Sequence, residues 1–304
     1  MSDTQRNLLQ ELSNSAAAAV ERASAAVVAV NARRHALVSG VHWREGLIVT
    51  ANHAVRREDD ITILLPDGRT APATLAGRDP STDLALLKVE GAGFSLPDVG
   101  DPSKLKVGNL VLAVGRVETG PRANLGVIGL RGGPWKTWVG GQVDQLIRLG
   151  FELHPTLSGG LLSDVEGRCL GINTHGLSRS YGVAIPPATV NRVIDILLQK
   201  GRIPQGYLGV GLVPVAIPPS MQSKLGLPED RGLMVQYAES GGPAARAGML
   251  LGDVLVRFNN AAVTSIHQLH SLLAPEVIGA HVKATVIRAG ALTGLDIPVE
   301  ERPR

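Results

Sequence analysis

Apolar positions in this chain come in short runs, not long stripes. From Val27 onward the runs include AVVAV (26–30), ALVSGV (36–41), GLIVTA (46–51), DITILLP (60–66), LALLKVE (84–90), NLVLAVG (109–115), LGVIGL (125–130), RCLGIN (168–173) and GVAIP (182–186). Glycine or a polar residue bounds most of them. Many short β-prone runs at close spacing predict an all-β barrel or sandwich. Two stretches break this texture. Residues 4–25 carry Leu8, Leu9 and Leu12 on a short apolar face and an alanine run at 16–19, which predicts a helix. In PPATVNRVIDILLQKG, Val190, Val193, Ile194, Leu197 and Leu198 recur at helical spacing, and Gly201 is a suitable C-cap. IPQG (203–206) reads as a linker. A second β-rich segment follows, with two helix-like stretches, GGPAARAGM (241–249) and SIHQLHSLLA (265–274). The predicted organisation is an N-terminal helical segment at 1–25, a first domain at 26–201 and a second at 206–300.

Composition narrows the possibilities. The 304 residues are enough for about two domains. With 36 glycines, 19 prolines and only 3% aromatic residues, Val, Leu, Ile and Ala must fill the core. A net charge of +3 without a basic tract argues against a nucleic-acid partner. The lone cysteine, Cys169, excludes an intrachain disulfide framework and reads as a buried strand residue. No run approaches the ~20 apolar residues of a membrane span. The first thirty residues lack a basic leader, and Glu11, Glu21 and Arg22 interrupt any apolar stretch, so a cytoplasmic location is expected. His267 and His270 lie three apart but lack cysteine or carboxylate neighbours, so no metal is expected. No P-loop motif is present, and no cofactor is expected.

Three stretches carry candidate chemistry. In TANHAV (50–55), His53 follows an apolar strand. In DPSTDLALLKV (79–89), Asp83 opens another. In HPTLSGGLL (154–162), Ser158 precedes two glycines. A serine hydroxyl is a poor nucleophile until a base takes its proton, and imidazole suits that task near neutral pH. A carboxylate must hold the imidazole in the right tautomer and stabilise its cation. The glycines allow a sharp turn in which amide N–H groups converge on an oxyanion.

These residues in this order resemble the HtrA (DegP-like) trypsin-fold serine proteases. LVSGV and GLIVTANHAV resemble that family's approach to its catalytic histidine. PDGRTAPATLAGRDPSTDLALLKV resembles the segment around its aspartate, LKVGNLVLAVG the entry to its second barrel, and HPTLSGGLLSDVEGRCLGINT its nucleophile segment. The resemblance implies a mostly β fold: a chymotrypsin-like double β-barrel followed by a PDZ domain, itself α+β with a partly open barrel. It implies a serine endopeptidase acting through an acyl-enzyme on unfolded or damaged polypeptides, with His53 as base, Asp83 as its orienter and Ser158 as nucleophile. The oxyanion donors would be the amides of Thr156 and Ser158. Leu153, Gly176 and Leu177 would line the specificity pocket, favouring a small aliphatic residue before the scissile bond. Thr156 and Leu157 stand where the family usually has Gly-Asn, and Leu161 where Pro or a small residue is usual. Glycine reaches backbone conformations that a β-branched residue avoids. The oxyanion hole is therefore either closed at rest and formed on substrate binding, or impaired. The second outcome would leave a PDZ scaffold or chaperone that binds without cutting.

GYLGV (206–210), GLMVQYAESGGPAARAGMLLGDVLVRFNNAAV (232–263), SIHQLHSLLA and HVKATVIRAG (281–290) together resemble an HtrA-type PDZ domain. In that reading Gly206, Tyr207, Leu208 and Gly209 bind a peptide's C-terminal carboxylate, and the adjoining strand edge takes the peptide by β-augmentation. Leu269 and Leu272 or Leu273 would face the groove. The resemblance also implies a homotrimer, with Leu8, Leu9 and Leu12 docking between copies. The short connection from His35 to Ser39 leaves no room for a long regulatory loop. GGPWKTWVGGQ (132–142) is expected to sense substrate or the PDZ domain.

Overall fold

The computed structural model describes residues 3–33, 37–91, 93–178 and 180–302; His35 lies outside them. It divides into two compact units, 1–137 with 142–203, and 204–304 with 138–141.

The first unit opens with helix α1 (Asp3–Ser24). Six strands follow: β1 (Val27–Asn31), β2 (Val38–Arg44), β3 (Leu47–Ala51), β4 (Ile61–Leu64), β5 (Thr70–Asp79) and β6 (Leu84–Val89). They close into a barrel in the order β1-β2-β3-β6-β5-β4. A second barrel uses β7 (Leu110–Val117) and β8 (Gly120–Gly132). After a two-residue ladder, β9 (Trp135–Lys136) with β10 (Gln142–Val143), it continues with β11 (Leu146–Leu149), β12 (Leu161–Ser163), β13 (Cys169–Thr174) and β14 (Val183–Ile185). Its order is β11-β14-β13-β12-β7-β8. Helix α2 (Pro187–Lys200) ends the unit.

The apolar runs look continuous because both faces of many strands are buried. Along β3, Ile48 points into the first barrel with Val28, Val30, Ile61, Ile63 and Leu87. Its neighbour Val49 points the other way, into a core shared with Leu84 and Leu86 of β6 and with Leu112, Leu161 and Ile185 of the second barrel. Val190, Val193, Ile194 and Leu197 of α2 complete that shared core. The second barrel is filled by Val111, Ala113, Ile128, Ile147, Leu149, Leu157 and Leu162. Cys169 is fully buried, and burial pushes its thiol up to about 12.

Helix α1 forms where alanine and leucine propensity predict it, but its packed face differs. Ala19 and Ala23 are buried in the shared core, whereas Leu8, Leu9 and Leu12 are 61%, 56% and 48% exposed. The buried Arg116 receives its C-terminal end: the guanidinium donates to the carbonyls of Ser24 and Val27 at 3.1 and 2.7 Å. A cation there also meets the negative end of the helix dipole.

The second unit contains β15 (Gly206–Tyr207), β16 (Val210–Ala216), α3 (Pro219–Leu225), β17 (Arg231–Ala238), α4 (Pro243–Arg246), β18 (Val254–Phe258), β19 (Ala261–Ala262), α5 (Ile266–Leu272), β20 (His281–Arg288), β21 (Ala291–Pro298) and β22 (Glu300–Glu301). Its main sheet runs β16-β17-β18-β20-β21, and β15 pairs with β22. Leu233, Val235, Leu255, Phe258, Val282, Val286 and Ile297 pack against Leu269 and Leu273. Asp253 is buried and receives two hydrogen bonds from Arg288, at 2.8 and 2.7 Å. No described helix is long and apolar enough to cross a membrane.

Candidate active site

Each of the three stretches meets the others at the shared face of the two barrels. His53 sits in a one-turn helix (Asn52–Ala54) directly after β3. Asp83 precedes β6, held by the turn before it. The buried Asp79 accepts hydrogen bonds from the amide and hydroxyl of Ser81 and from the hydroxyl of Thr82. Asp83 itself takes a left-handed φ of +58°, which aspartate tolerates better than a branched residue. Its carboxylate is 3% exposed and fully engaged. Oδ1 accepts the His53 amide at 2.8 Å, and Oδ2 accepts the His53 Nδ1–H at 2.7 Å. The hydroxyl of Thr174, at the end of β13, donates to the same Oδ2. These bonds set the His53 tautomer with the proton on Nδ1, leaving Nε2 as a base.

Gly176 is the cost of this compactness. A Cβ at that position would lie 2.4 Å from Asp83 Oδ2 and 2.6 Å from His53 Nδ1. Any side chain there displaces the pair. Gly159, at φ +81°, is equally constrained, since its Cβ would meet the Ser39 carbonyl at 2.2 Å.

Ser158 is completely buried, and its hydroxyl does not reach His53. It is 2.6 Å from Nδ1 of His175, the residue between Thr174 and Gly176. The His53 and His175 rings meet edge to face with centroids 4.4 Å apart. The buried His53 Nε2 has no hydrogen-bond partner among the described residues. Burial first, and the neighbouring His53 second, push the His175 pKa down, so its imidazole stays neutral.

The turn before Ser158 is a tight helix, Pro155–Leu157. Within it the Thr156 amide donates to His154 Nδ1 at 3.2 Å, and the Ser158 amide donates to the Pro155 carbonyl at 3.2 Å. Both amides expected to form an oxyanion hole are thus used internally. Ser39 of β2 fixes the turn: its hydroxyl donates to the Thr156 carbonyl at 2.6 Å and its amide to the Ser158 carbonyl at 3.2 Å. Thr156 carries no positive φ in this arrangement, so its β-branch is unstrained. The SGG segment and Leu161 stay in place through the pairing of β12 with β13 and through the Gly159 amide, which donates to the Asn173 carbonyl.

His175, the residue that contacts Ser158, lines a cleft of about 690 Å³. Leu153 lines it together with Leu149, Pro155, His175, Tyr181 and Gly182. Arg148, also on its wall, stacks over the Tyr181 ring at 4.1 Å. Of the three residues expected at a specificity pocket, Leu153 is on this wall. Gly176 lies against Asp83 instead, and Leu177 is buried in the shared core. Ser39 and the contact of His175 with Ser158 escape a motif reading, because they join residues 117 and 17 apart along the chain.

In the second unit, a smaller groove of about 150 Å³ is bordered by Gly206, Tyr207, Leu208 and Gly209, by Val210 and Leu212 of β16, and by α5 with Leu273. Strand β16 is an edge of its sheet, so its outer backbone is open to another strand. Leu269 and Leu273, both core residues, line the groove; the half-buried Leu272 does not. Tyr207 Oη donates to Glu239, which braces the loop. Trp138–Gly141 group with this unit, and the Trp138 ring lies 5.7 Å from that of His267.

Family models match these units: a trypsin-like peptidase domain at residues 38–172 and a PDZ domain at 206–299. The solved structure titled "HtrA-type protease AlgWS227A with tripeptide" is 31% identical; the match covers 94% of this chain and 97% of that one, with a TM-score of 0.67. The chain belongs to the HtrA family of serine proteases. A serine endoprotease from Yersinia pestis is similar at 26% identity and a TM-score of 0.67, over 94% of this chain and 98% of that one. The "Probable periplasmic serine endoprotease DegP-like" of Bartonella henselae is 34% identical over 266 residues, 85% of this chain and 52% of the relative. A protein of the same name from Pseudomonas putida is 33% identical, over 85% of this chain and 54% of the relative. This HtrA chain therefore spans about half the length of the curated relatives it matches.

Those names overturn the expected cytoplasmic location, since the relatives are periplasmic. The expectation rested on the residues of α1, and α1 is packed into the folded first unit. Its composition reports on packing and carries no information about targeting.

Proposed function

We propose that this protein is a periplasmic serine endopeptidase that cleaves unfolded polypeptides and binds peptide C-termini at its PDZ groove. The observation that carries the reading is the Asp83–His53 pair: a buried carboxylate at 2.7 Å from Nδ1, braced by Thr174, with Nε2 unpaired among the described residues and the ring 4.4 Å from that of His175, which Ser158 contacts. The chemistry follows from that geometry. His53 Nε2 takes the Ser158 proton as Oγ attacks the scissile carbonyl, and Asp83 stabilises the imidazolium. His53 then returns the proton to the leaving amine, and water hydrolyses the acyl-enzyme by the same route.

The structure is a resting form. Before an oxyanion can be held, the Thr156 amide must leave His154 and the Ser158 amide must leave Pro155. Oxyanion donors contribute about 3–4 kcal/mol each to the transition state, so this rearrangement controls activity. Leu149, Leu153 and Pro155 give the cleft an apolar stretch, with Arg148 and Glu152 as its charged members, and we read that stretch as favouring a small aliphatic residue before the scissile bond. At the groove, the Gly206–Gly209 loop would receive the terminal carboxylate and β16 the peptide backbone. AlgW, a structural relative, was crystallised with a decapeptide.

The decisive experiment is hydrolysis of denatured casein by the wild type and by Ser158→Ala. We expect the variant to lose at least about 10³-fold of the rate. Equal hydrolysis by both would overturn the protease reading in favour of a protein that binds without cutting.

A further inference from the structure

His175 is a second imidazole in contact with the nucleophile, and the Asp–His–Ser scheme has no task for it. A serine hydroxyl has one proton and can donate one strong hydrogen bond. With the His175 proton on Nε2, that bond goes to His175 Nδ1 at 2.6 Å, while the buried His53 Nε2 receives none among the described residues. The two rings stand edge to face with centroids 4.4 Å apart, so the His53 imidazole is the neighbouring acceptor that Ser158 does not use. Resting on the protease reading above, we propose that His175 is a positioning residue that holds Ser158 off His53 until substrate enters the cleft.

The placement supports this. His175 follows Thr174, whose hydroxyl braces Asp83, and precedes Gly176, which gives that carboxylate room. Its ring lines the cleft, so a peptide lying there contacts the imidazole directly. The charged and titratable groups around it are His53, Asp83 and Arg33; Arg148, Glu152 and Tyr181 line the same cleft. Burial and His53 push the His175 pKa down, and a neutral ring with its proton on Nε2 keeps on Nδ1 the lone pair that accepts the Ser158 proton. Release moves no proton between residues. The Ser158 O–H swings from Nδ1 of His175 to Nε2 of His53, and acylation then follows the ordinary route.

The test is the second-order rate of labelling by a fluorophosphonate probe, without substrate, for wild type, His175→Ala, His175→Asn and Ser158→Ala. The Asn side chain can place an oxygen near the position of Nδ1, so it retains the acceptor while losing the ring. His175→Ala should label roughly three- to tenfold faster than wild type, the gain expected when one competing hydrogen bond is lost. His175→Asn should remain near the wild-type rate, and Ser158→Ala should not label. The gain in kcat/KM on a short peptide should exceed the gain in kcat, since bound peptide already displaces His175. If His175→Ala labels no faster than wild type, or if the Asn variant matches the Ala variant, the hold on Ser158 is overturned while the protease reading stands. The Asn variant also guards against misfolding of the Ala variant, because a labelled Asn variant is a folded one. If no protein labels even with denatured casein present, the protease reading fails and the proposal falls with it.

Discussion

Gly176 shows how little room the reacting groups leave. Replacing it with Ala puts a methyl 2.4 Å from Asp83 Oδ2, so His53 must shift. Displacements of about 1 Å at a reacting group cost on the order of 10²-fold in rate. Gly176→Ala should therefore lose about 10²-fold in kcat on denatured casein while melting close to wild type, as calorimetry would check. Cys169 makes the opposite case. Its thiol is fully buried and pushed up to about 12, so a chromogenic disulfide reagent should react with it only after denaturant is added. His53, Asp83 and Ser158 were legible in the sequence because each stands in a motif of distinctive residue types, in the order the chemistry needs. His175 was not, because its part depends on a rotamer and on an approach between two strands' ends that no local pattern encodes. Ser39 was hidden for the same reason: it lies 117 residues before the carbonyl it holds.

At the scale of elements, hydrophobic periodicity located the strands well, since fully buried strands give dense apolar runs. It was weaker at edges. Leu273 falls just beyond the last turn of α5, where it belongs to the buried core and also lines the groove, while Leu272 is half-buried and lies off the groove. Helix α1 packs within the chain through a smaller face than the leucines the pattern picks out, which stay exposed. The barrel surface accepts the smaller Ala19 and Ala23, which allow close approach. The ion pair linking β20 to the turn before β18 supports a prediction about pH. Burial raises the Asp253 carboxyl, but hydrogen bonds from Arg288 and the Leu250 amide outweigh it and hold the pKa below its ordinary 3.8. A depressed acid stabilises the fold fully above its unfolded pKa and less as the folded carboxyl becomes protonated. The second unit should thus keep this contribution above about pH 4 and lose it below. Asp253→Asn should cost about 1.5–3 kcal/mol at pH 7 and flatten the acid dependence, as thermal melts at pH 3 to 7 would reveal.

For the whole molecule, two six-stranded barrels and a PDZ unit account for the glycine-rich, aromatic-poor composition. Valine, isoleucine, leucine and alanine fill narrow barrel interiors, and large rings are scarce among the core residues. The exposed Leu8, Leu9 and Leu12 on α1 support the proposal of a homotrimer. Light scattering at micromolar concentration should give a mass near three chains, and substitution of all three leucines by serine should shift it toward one. A monomer in the wild type would refute the assembly. The domain content was legible because several ordered motifs point to the same answer. The closed turn at Thr156 was one of the two outcomes its residues suggested, but the Ser158–His175 contact was not legible, because it is a choice of conformation among residues that permit others.

The burial of Cys169 has a practical use. Since it is the sole thiol of the chain and sealed in the core that the two barrels share, the native protein behaves toward dyes as though it had none. A single cysteine introduced at Ile266, on the rim of the PDZ groove, would carry one fluorophore at one known place. Its emission would then follow peptide arrival in real time, without first engineering a cysteine-free background.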